Sequence, residues 1–400
     1  MSKVLTKFEH QLIEKDELSR EGWEELQEVA ERERFRFKLR KKGVKLSSHI
    51  GLISLSDGTV IEILPKIYHS ESKEEGRRLA TLLMVNLIER NLRRLKGVAG
   101  APDLKVPFLE LVMYATLLYA ERKIVIPGIY RSYERRQLLS RSLSGRVLVS
   151  KNLTRNPFNR EKLFIERELL TADVPVNRLL LKVAELVGKR ATFKKLKSLA
   201  GRIILYLKNL EVGNWPAGES PGRIRLNRMN AHYEPVVELA KLLEEGRGRG
   251  RRGGAITWLY NMDFLFERLI STALPESEYQ REFPVGEGFK IRPDILFKDA
   301  VIDAKWKRVD EIPNNDCFQV ISYAYLLEKR FGRPIRKALL VYPEIESREQ
   351  LTWDIGEGKE LTALNLNMRE IMESISRELP LDEQLESLRR KVREKLLRLL

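Results

Sequence analysis

Apolar residues recur at every second position near the start of the chain and at every third or fourth position later, so strands should lead and helices follow. Phe35-Arg-Phe-Lys-Leu39 alternates apolar and basic side chains, as a half-buried strand does. Ile50–Leu55 and Thr59–Leu64, joined by Ser56-Asp-Gly58, read as a hairpin that Pro65-Lys66-Ile67 ends. Residues 1–68 are therefore expected to be β-rich. Ser72-Lys-Glu-Glu75 resembles a capping box, and the amphipathic helix it opens should run to about Lys96. A second helix, from Phe108 to about Lys123, is apolar on most sides and should be buried. Further helices are expected from Val174, over Phe193–Leu210 and over Arg228–Glu245.

Gly246-Arg-Gly-Arg-Gly-Arg-Arg-Gly-Gly254 then breaks the pattern. Alternating Gly and Arg cannot build a core, so a flexible basic linker and a domain boundary are expected there. Trp258 to Ile270 has helical apolar spacing, with Glu267 the acid in its apolar second half. Asn315 or Asp316 should cap a helix over Gln319–Arg330, and Arg336–Tyr342 reads as a buried strand stopped by Pro343. Leu385, Leu388, Val392, Leu396 and Leu399 give the tail the spacing of a docking or dimerising helix. The class is α+β, divided as 1–68, 69–245, the linker 246–254 and 255–400.

One stretch of this pattern carries chemistry. Ile295–Phe297 and Val301–Ile302 flank Lys298-Asp-Ala300, a tight turn between two strands. With Asp299-Ala300 as a two-residue loop, residue 296 faces 303 and residue 294 faces 305. Asp294, Asp303 and Lys305 then share one face, whereas a three-residue loop would turn Asp294 away. Two such carboxylates can hold Mg²⁺, a hard ion that prefers oxygen. A neighbouring lysine can orient or deprotonate water for phosphodiester hydrolysis.

Composition narrows the partners. The 400 residues are 43% hydrophobic, enough for two or three domains, and the net charge of +16 points to a polyanion. Between Ile129 and Lys162 nine Lys/Arg face only Glu134 and Glu161, with Tyr130 and Tyr133 at the start. That segment suits phosphate contact with stacking, a loop reaching into an acidic protein partner, or a solvated face. No run is apolar and long enough to span a bilayer, and the N-terminus lacks a signal-peptide core, so a cytoplasmic protein is expected. A single cysteine, Cys317, excludes an internal disulfide and a cysteine-based zinc site. The four histidines are scattered, which argues against histidine-metal chemistry. No phosphate-binding loop of the Gly-x-x-x-x-Gly-Lys-Ser/Thr type occurs.

Pro293-Asp294 followed by Asp303-Ala304-Lys305 resembles the motif of the PD-(D/E)XK nuclease superfamily, with Asp303 where Glu is frequent. Gln319 and Tyr323, four apart on a helix, resemble the Gln-x-x-x-Tyr motif of one branch. Gly51-Leu-Ile-Ser-Leu55, Ile63-Leu-Pro-Lys-Ile67, Gly128-Ile-Tyr130, Leu143-Ser-Gly-Arg146, Val176-Asn-Arg178, Asn227 with Tyr233, and Met262–Glu267 resemble, in this order, the McrC family. Members of that family are nuclease subunits of modification-dependent McrBC restriction systems.

The resemblance implies an N-terminal coupling region followed by a C-terminal PD-(D/E)XK endonuclease domain. It implies Asp294, Asp303, Lys305, Gln319 and Tyr323 as catalytic residues. Asp294 and Asp303 would bind Mg²⁺, with Glu267 and the Ala304 carbonyl as further ligands. The implied partners are modified double-stranded DNA and a McrB-like AAA+ GTPase hexamer, which would bind the GTP itself. A homodimer through the nuclease domain is the remaining partner, and no membrane is expected. Arg131, Arg135, Arg136, Arg141 and Arg146 are the candidates for contact with the motor. The alternatives are a stand-alone repair or mobile-element nuclease and a non-catalytic GTPase-activating adaptor.

Overall fold

The computed structural model describes residues 4–32, 36–68, 72–88, 107–158, 161–191, 194–245, 256–346, 348–379 and 381–400. Contacts gather these into two units, Met1–Ala115 with Leu242–Leu400, and Thr116–Lys241. This differs from the expected split between residues 245 and 255. Residues 89–96 of the first expected helix, and Gly246–Gly254, lie outside the described residues.

The first unit opens with β1 (Val4–Phe8), β2 (Leu12–Glu14), α1 (Arg20–Arg32), β3 (Phe37–Arg40), β4 (Gly43–Leu46), β5 (His49–Ser54) and β6 (Val60–Leu64). The hairpin expected at 50–64 is present as antiparallel β5 and β6. Helix α1 was not expected in a β-rich segment. Its Trp23, Leu26, Val29 and Ala30 fall on one face and join Ile13, Val44, Ile53 and Ile61 in a single core. After α2 (Lys73–Ile88), where Glu75 N donates to Ser72 Oγ at 3.4 Å, comes α3 (Phe108–Ala120).

The second unit holds β7 (Ser132–Ser140), β8 (Arg146–Val147), α4 (Val149–Arg155), β9 (Leu163–Thr171), α5 (Pro175–Arg190), α6 (Lys194–Asn209) and α7 (Glu234–Glu245). Strands β7 and β9 pair antiparallel from Ser132↔Thr171 to Ser140↔Leu163. Asn177 on α5 clamps the two strands together at the Ser132/Thr171 end of this ribbon. Its Nδ2 donates to the carbonyls of Tyr130, just before β7, and Ala172, just after β9, at 2.8 and 2.6 Å. Tyr233 Oη donates to Asn177 Oδ1 and accepts from Tyr130 N. Arg178 grips Asp173 through two bonds of 2.6 and 2.7 Å.

The chain returns to the first unit with β10 (Ile256–Asn261), which pairs antiparallel with β5. Residues 258–261 were expected to be helical. Thr257-Trp-Leu-Tyr260 is instead β-branched and aromatic, and it finds an open sheet edge there. Gly51 makes that pairing close: at φ +151° an added Cβ would lie 1.8 Å from the Trp258 carbonyl oxygen. Asn261 then caps α8 (Met262–Ala273), accepting from Asp263 N and Phe264 N.

The remainder comprises β11 (Glu278–Tyr279), β12 (Phe283–Gly286), β13 (Phe289–Ile291), β14 (Ile295–Phe297), β15 (Ala300–Ala304), β16 (Arg308–Val309), α9 (Asn314–Phe331), β17 (Lys337–Tyr342), β18 (Glu344–Ile345), β19 (Gln350–Gly356), β20 (Lys359–Asn365), α10 (Met368–Glu373) and α11 (Leu381–Leu397). A six-stranded sheet runs β11-β14-β15-β17-β20-β19. β14 and β15 are antiparallel, while α9 carries the chain across to β17, parallel to β15. Val320, Ala324 and Leu327 of α9 pack on Val301, Ala338 and Leu340 of the sheet. Asn315 and Asp316 do not cap α9; its N-cap is Pro313. Asp316 turns inward, accepting from Tyr342 Oη at 2.6 Å and pairing with Lys307. Leu385, Leu388, Val392 and Leu396 of α11 are buried, and α11 packs on α2 and α8, so the tail docks within its own unit. Arg78 of α2 fastens it, with bonds to Gln384 Oε1 and to the carbonyls of Met372 and Ile375.

Candidate active site

The turn between β14 and β15 is Lys298-Asp299, with Lys298 at φ +53°, and not Asp299-Ala300. The register is Ile295↔Ile302, Leu296↔Val301 and Phe297↔Ala300. Each strand has therefore shifted by one residue from the expected pairing, which brings Asp294 opposite Asp303. A joint shift of this kind keeps the parity, so Asp294, Asp303 and Lys305 still share a face.

Asp303 is fully buried near the end of β15, and neither of its carboxylate oxygens accepts a hydrogen bond. Lys305 Nζ lies 2.7 Å from Oδ2, an ion pair without hydrogen-bond alignment. Asp294 Oδ2 accepts from Ala304 N at 2.9 Å. Lys305 Nζ donates to Gln319 Oε1 at 3.2 Å, and Gln319 Nε2 donates to Tyr323 Oη at 2.9 Å. The expected Gln-x-x-x-Tyr pair thus continues a chain of contacts that starts at Asp303. Glu267 Oε2 accepts from Gln280 Nε2 at 2.8 Å and from Tyr279 Oη at 3.3 Å. Glu267, Asp294, Gln319 and Tyr323 line a cleft of about 650 Å³ that Lys290 and Arg292 also border.

Electrostatics follow from this crowding. Burial, then the charges of Asp303 and Glu267, push the Asp294 carboxyl well above the usual carboxylate range. Burial likewise raises Asp303, with Lys305 pulling it back. Burial raises Glu267 too, partly offset by Gln280 and Tyr279. Burial alone would lower the Lys305 ammonium, but Asp303 and Asp294 outweigh it and hold the group above its ordinary value.

Among the described residues no three His, Cys, Asp or Glu side chains form a ready-made metal-binding group. The donor chemistry nevertheless fits a hard cation. Two buried oxygens of Asp303 lack hydrogen bonds, and Asp294 stands beside them, so a cation would relieve both the repulsion and the missing bonds.

Gln280 is a site residue that the sequence did not announce. Its side chain holds Glu267, and its backbone N–H donates to the Asp294 carbonyl at 2.8 Å. It adopts φ +45°, where a residue with a Cβ is strained. Nothing in the local sequence signals that conformation.

Three comparisons bear on this architecture. The family model described as McrBC 5-methylcytosine restriction system component matches residues 44–343. A refined half-complex from a tetradecameric assembly of Thermococcus gammatolerans McrB AAA+ hexamers with bound McrC is similar in fold: TM-score 0.65, 16% identity, and 100% of both chains covered. A cryo-EM structure of the Thermococcus gammatolerans McrBC complex aligns at TM-score 0.51 and 19% identity, over 68% of this chain and 87% of that one. No curated protein matches the sequence.

Proposed function

The chain belongs to the family of McrBC 5-methylcytosine restriction system components, and from that premise we propose that it is the DNA-cutting subunit of a GTP-driven restriction complex. The observation that carries this reading is the buried pair Asp294 and Asp303 with Lys305 on one hairpin face, beside a cleft bordered by Lys290 and Arg292. The antiparallel hairpin, the α9 crossover and parallel β17 support a PD-(D/E)XK domain.

In this reading Asp294 and Asp303 hold Mg²⁺, with Glu267 and the Ala304 carbonyl as candidate further ligands. When bound, the ion supplies positive charge against the scissile phosphate. Lys305, steered by Gln319, donates to oxygens that gain charge during phosphodiester hydrolysis. Lys290 and Arg292 contact the DNA backbone, which sets position rather than sequence.

The partner is a McrB-like AAA+ hexamer, as in the Thermococcus gammatolerans assembly of McrB hexamers with bound McrC. The β7–β9 ribbon is its docking element. Besides its arginines, the ribbon and the segment with α4 that connects its strands expose Tyr133, Leu143, Leu153, Phe158 and Leu170, apolar surface of the kind that marks interaction sites.

The test is reconstitution with the McrB-like GTPase of the same source, on methylated and unmethylated DNA. Cleavage should require GTP, Mg²⁺ and methylation, and Asp303→Asn should abolish it. Cutting by Asp303→Asn at the wild-type rate would refute the assignment.

A further inference from the structure

Trp306 follows Lys305 directly, where the chain leaves β15, and it is 1% exposed. All three of its polar atoms are engaged, each by a different segment. Its backbone N–H donates to Asp263 Oδ1 of α8 at 3.2 Å. Its indole Nε1–H donates to Glu9 Oε2 at 2.9 Å, and its carbonyl accepts from Lys66 Nζ at 3.0 Å. The edge of the ring meets Phe266 at 5.3 Å between centroids.

Glu9 and Lys66 come from the N-terminal sheet, just beyond the ends of the parallel strands β1 and β6. They form one piece. Lys66 N donates to the same Glu9 Oε2 at 3.0 Å, and Glu9 N donates to the Leu64 carbonyl at 3.0 Å. Neither lies on the sheet that carries Asp303, yet together they take two of the three polar atoms of the residue next to Lys305.

The backbone around Lys305 needs such support. Its N–H donates to Val341 on β17, but among the described residues its carbonyl accepts from the backbone N–H of Lys307 alone, two residues on. Where Lys305 Nζ sits over Asp303 therefore depends on the path that Trp306 imposes. Glu9 is an expensive way to fill a core, because it is buried with Oε1 lacking a hydrogen bond among the described residues. An apolar residue of similar size would serve packing alone better. What the carboxylate adds is a fixed acceptor for the indole.

We propose that Glu9 and Lys66 are positioning residues of the nuclease site, so that the N-terminal sheet is part of the scaffold that aims Lys305. The proposal rests on the nuclease reading above. It assigns the segment Ile63-Leu-Pro-Lys-Ile67, which has no catalytic chemistry of its own, a place in the catalytic geometry.

The experiment compares Lys66→Met, Glu9→Leu and Glu9→Gln in the full chain, reconstituted with the GTPase partner. At saturating Mg²⁺, Lys66→Met and Glu9→Leu should lower the cleavage kcat at least tenfold, about 1.4 kcal/mol of transition-state stabilisation. The KM for DNA and the GTP turnover should stay within twofold. Glu9→Gln, which keeps an acceptor oxygen for the indole, should recover most of the rate. A wild-type kcat for Lys66→Met overturns the proposal. So does an equal loss of cleavage and GTP turnover in Lys66→Met and Glu9→Gln, since that pattern reports general unfolding. Asp303→Asn, run in parallel, separates the two ideas. If Asp303→Asn is dead while Lys66→Met cuts normally, only the positioning role falls; if Asp303→Asn cuts normally, the nuclease reading falls with it.

Discussion

Asp303 in the first unit is wholly buried beside the Asp294 carboxyl, with Lys305 as its counter-charge, whereas Phe158 in the second unit is 96% exposed. Each arrangement opposes the usual sorting of polar and apolar groups. The two departures point in different directions. A buried, crowded carboxylate is a site organised in advance, and in the proposed function a small cation settles it. An exposed apolar ribbon is surface that, in the proposed function, a macromolecule covers. The first region should therefore gain stability when its function is removed, and the second should lose function with no change in stability.

The sharpest break of that contrast is at Asp303. Asp303→Asn should reduce cleavage by about 10²–10³-fold or more, the scale of losing one preorganised charge-stabilising group. In chelator the same variant should melt higher than wild type, because the repulsion between Asp294 and Asp303 is gone. The pH dependence has a defined sign. Asp294, Asp303, Glu267 and Glu9 all have raised folded-state values, Glu9 up to about 7 through burial, against the pull of Lys66. The folded state then binds more protons than the unfolded one above about pH 4, where unfolded carboxylates ionise. These groups' share of the stability is full below that pH and is lost as pH rises toward neutrality. Melting curves at pH 5 and pH 8 in chelator should show a smaller gap for Asp303→Asn than for wild type. An equal gap would remove the site from the explanation.

For the ribbon, replacing Leu153 and Phe158 together with Ser should lower stimulation of the partner GTPase about tenfold, as loss of an interface anchor does. The melting temperature should stay unchanged, since surface substitutions of this kind usually stay within about 0.5 kcal/mol. A drop in melting temperature would show that these side chains serve the fold after all. A fragment ending at residue 245 is a poor vehicle for this test. It would lack β10, which completes the N-terminal sheet on β5.

How much of this could be read beforehand depends on the range of the interaction. The 50–64 hairpin, strand 337–342 and the spacing of Gln319 with Tyr323 follow from local pattern, and each is present. The shared face of Asp294, Asp303 and Lys305 came through despite a wrong turn, because moving both strands by one residue preserves alternation. What stayed hidden was non-local. Strand 256–261 is decided by an open edge built about two hundred residues earlier, and Glu9 and Lys66 meet Trp306 across 297 and 240 residues. The charges between Ile129 and Lys162 stand out in the sequence, while the apolar side chains among them carry no signal of exposure. Their exposure depends on a ribbon that only the fold reveals.

Gln280 offers a smaller test on the first side of the comparison. Gln280→Gly removes the hydrogen bond to Glu267 while relieving the backbone at φ +45°. Cleavage should fall about tenfold, in keeping with one hydrogen bond to a charged group. Stability should hold or rise slightly. A cleavage rate equal to wild type would mean that Glu267 needs no such support.

The smallest effect is expected from the arginines of the ribbon. Arg135 pairs with Glu168, Arg136 with Glu134, and Arg141 with Glu161, all on exposed surface. Such pairs contribute little to folding, so Arg→Ala changes there should leave the melting temperature where it is. In the proposed docking their charges act at longer range, attracting an acidic surface of the partner during approach, and that attraction would be screened by salt. Neutralising Arg135, Arg136 and Arg141 together should therefore flatten the salt dependence of GTPase stimulation measured without DNA. Maximal stimulation at saturating chain should change less than for the Leu153 and Phe158 pair. If the arginine variant loses maximal stimulation and the apolar variant keeps it, the ribbon works through charge, and the contrast between a site that hides charge and a surface that displays apolar groups no longer divides the two functions.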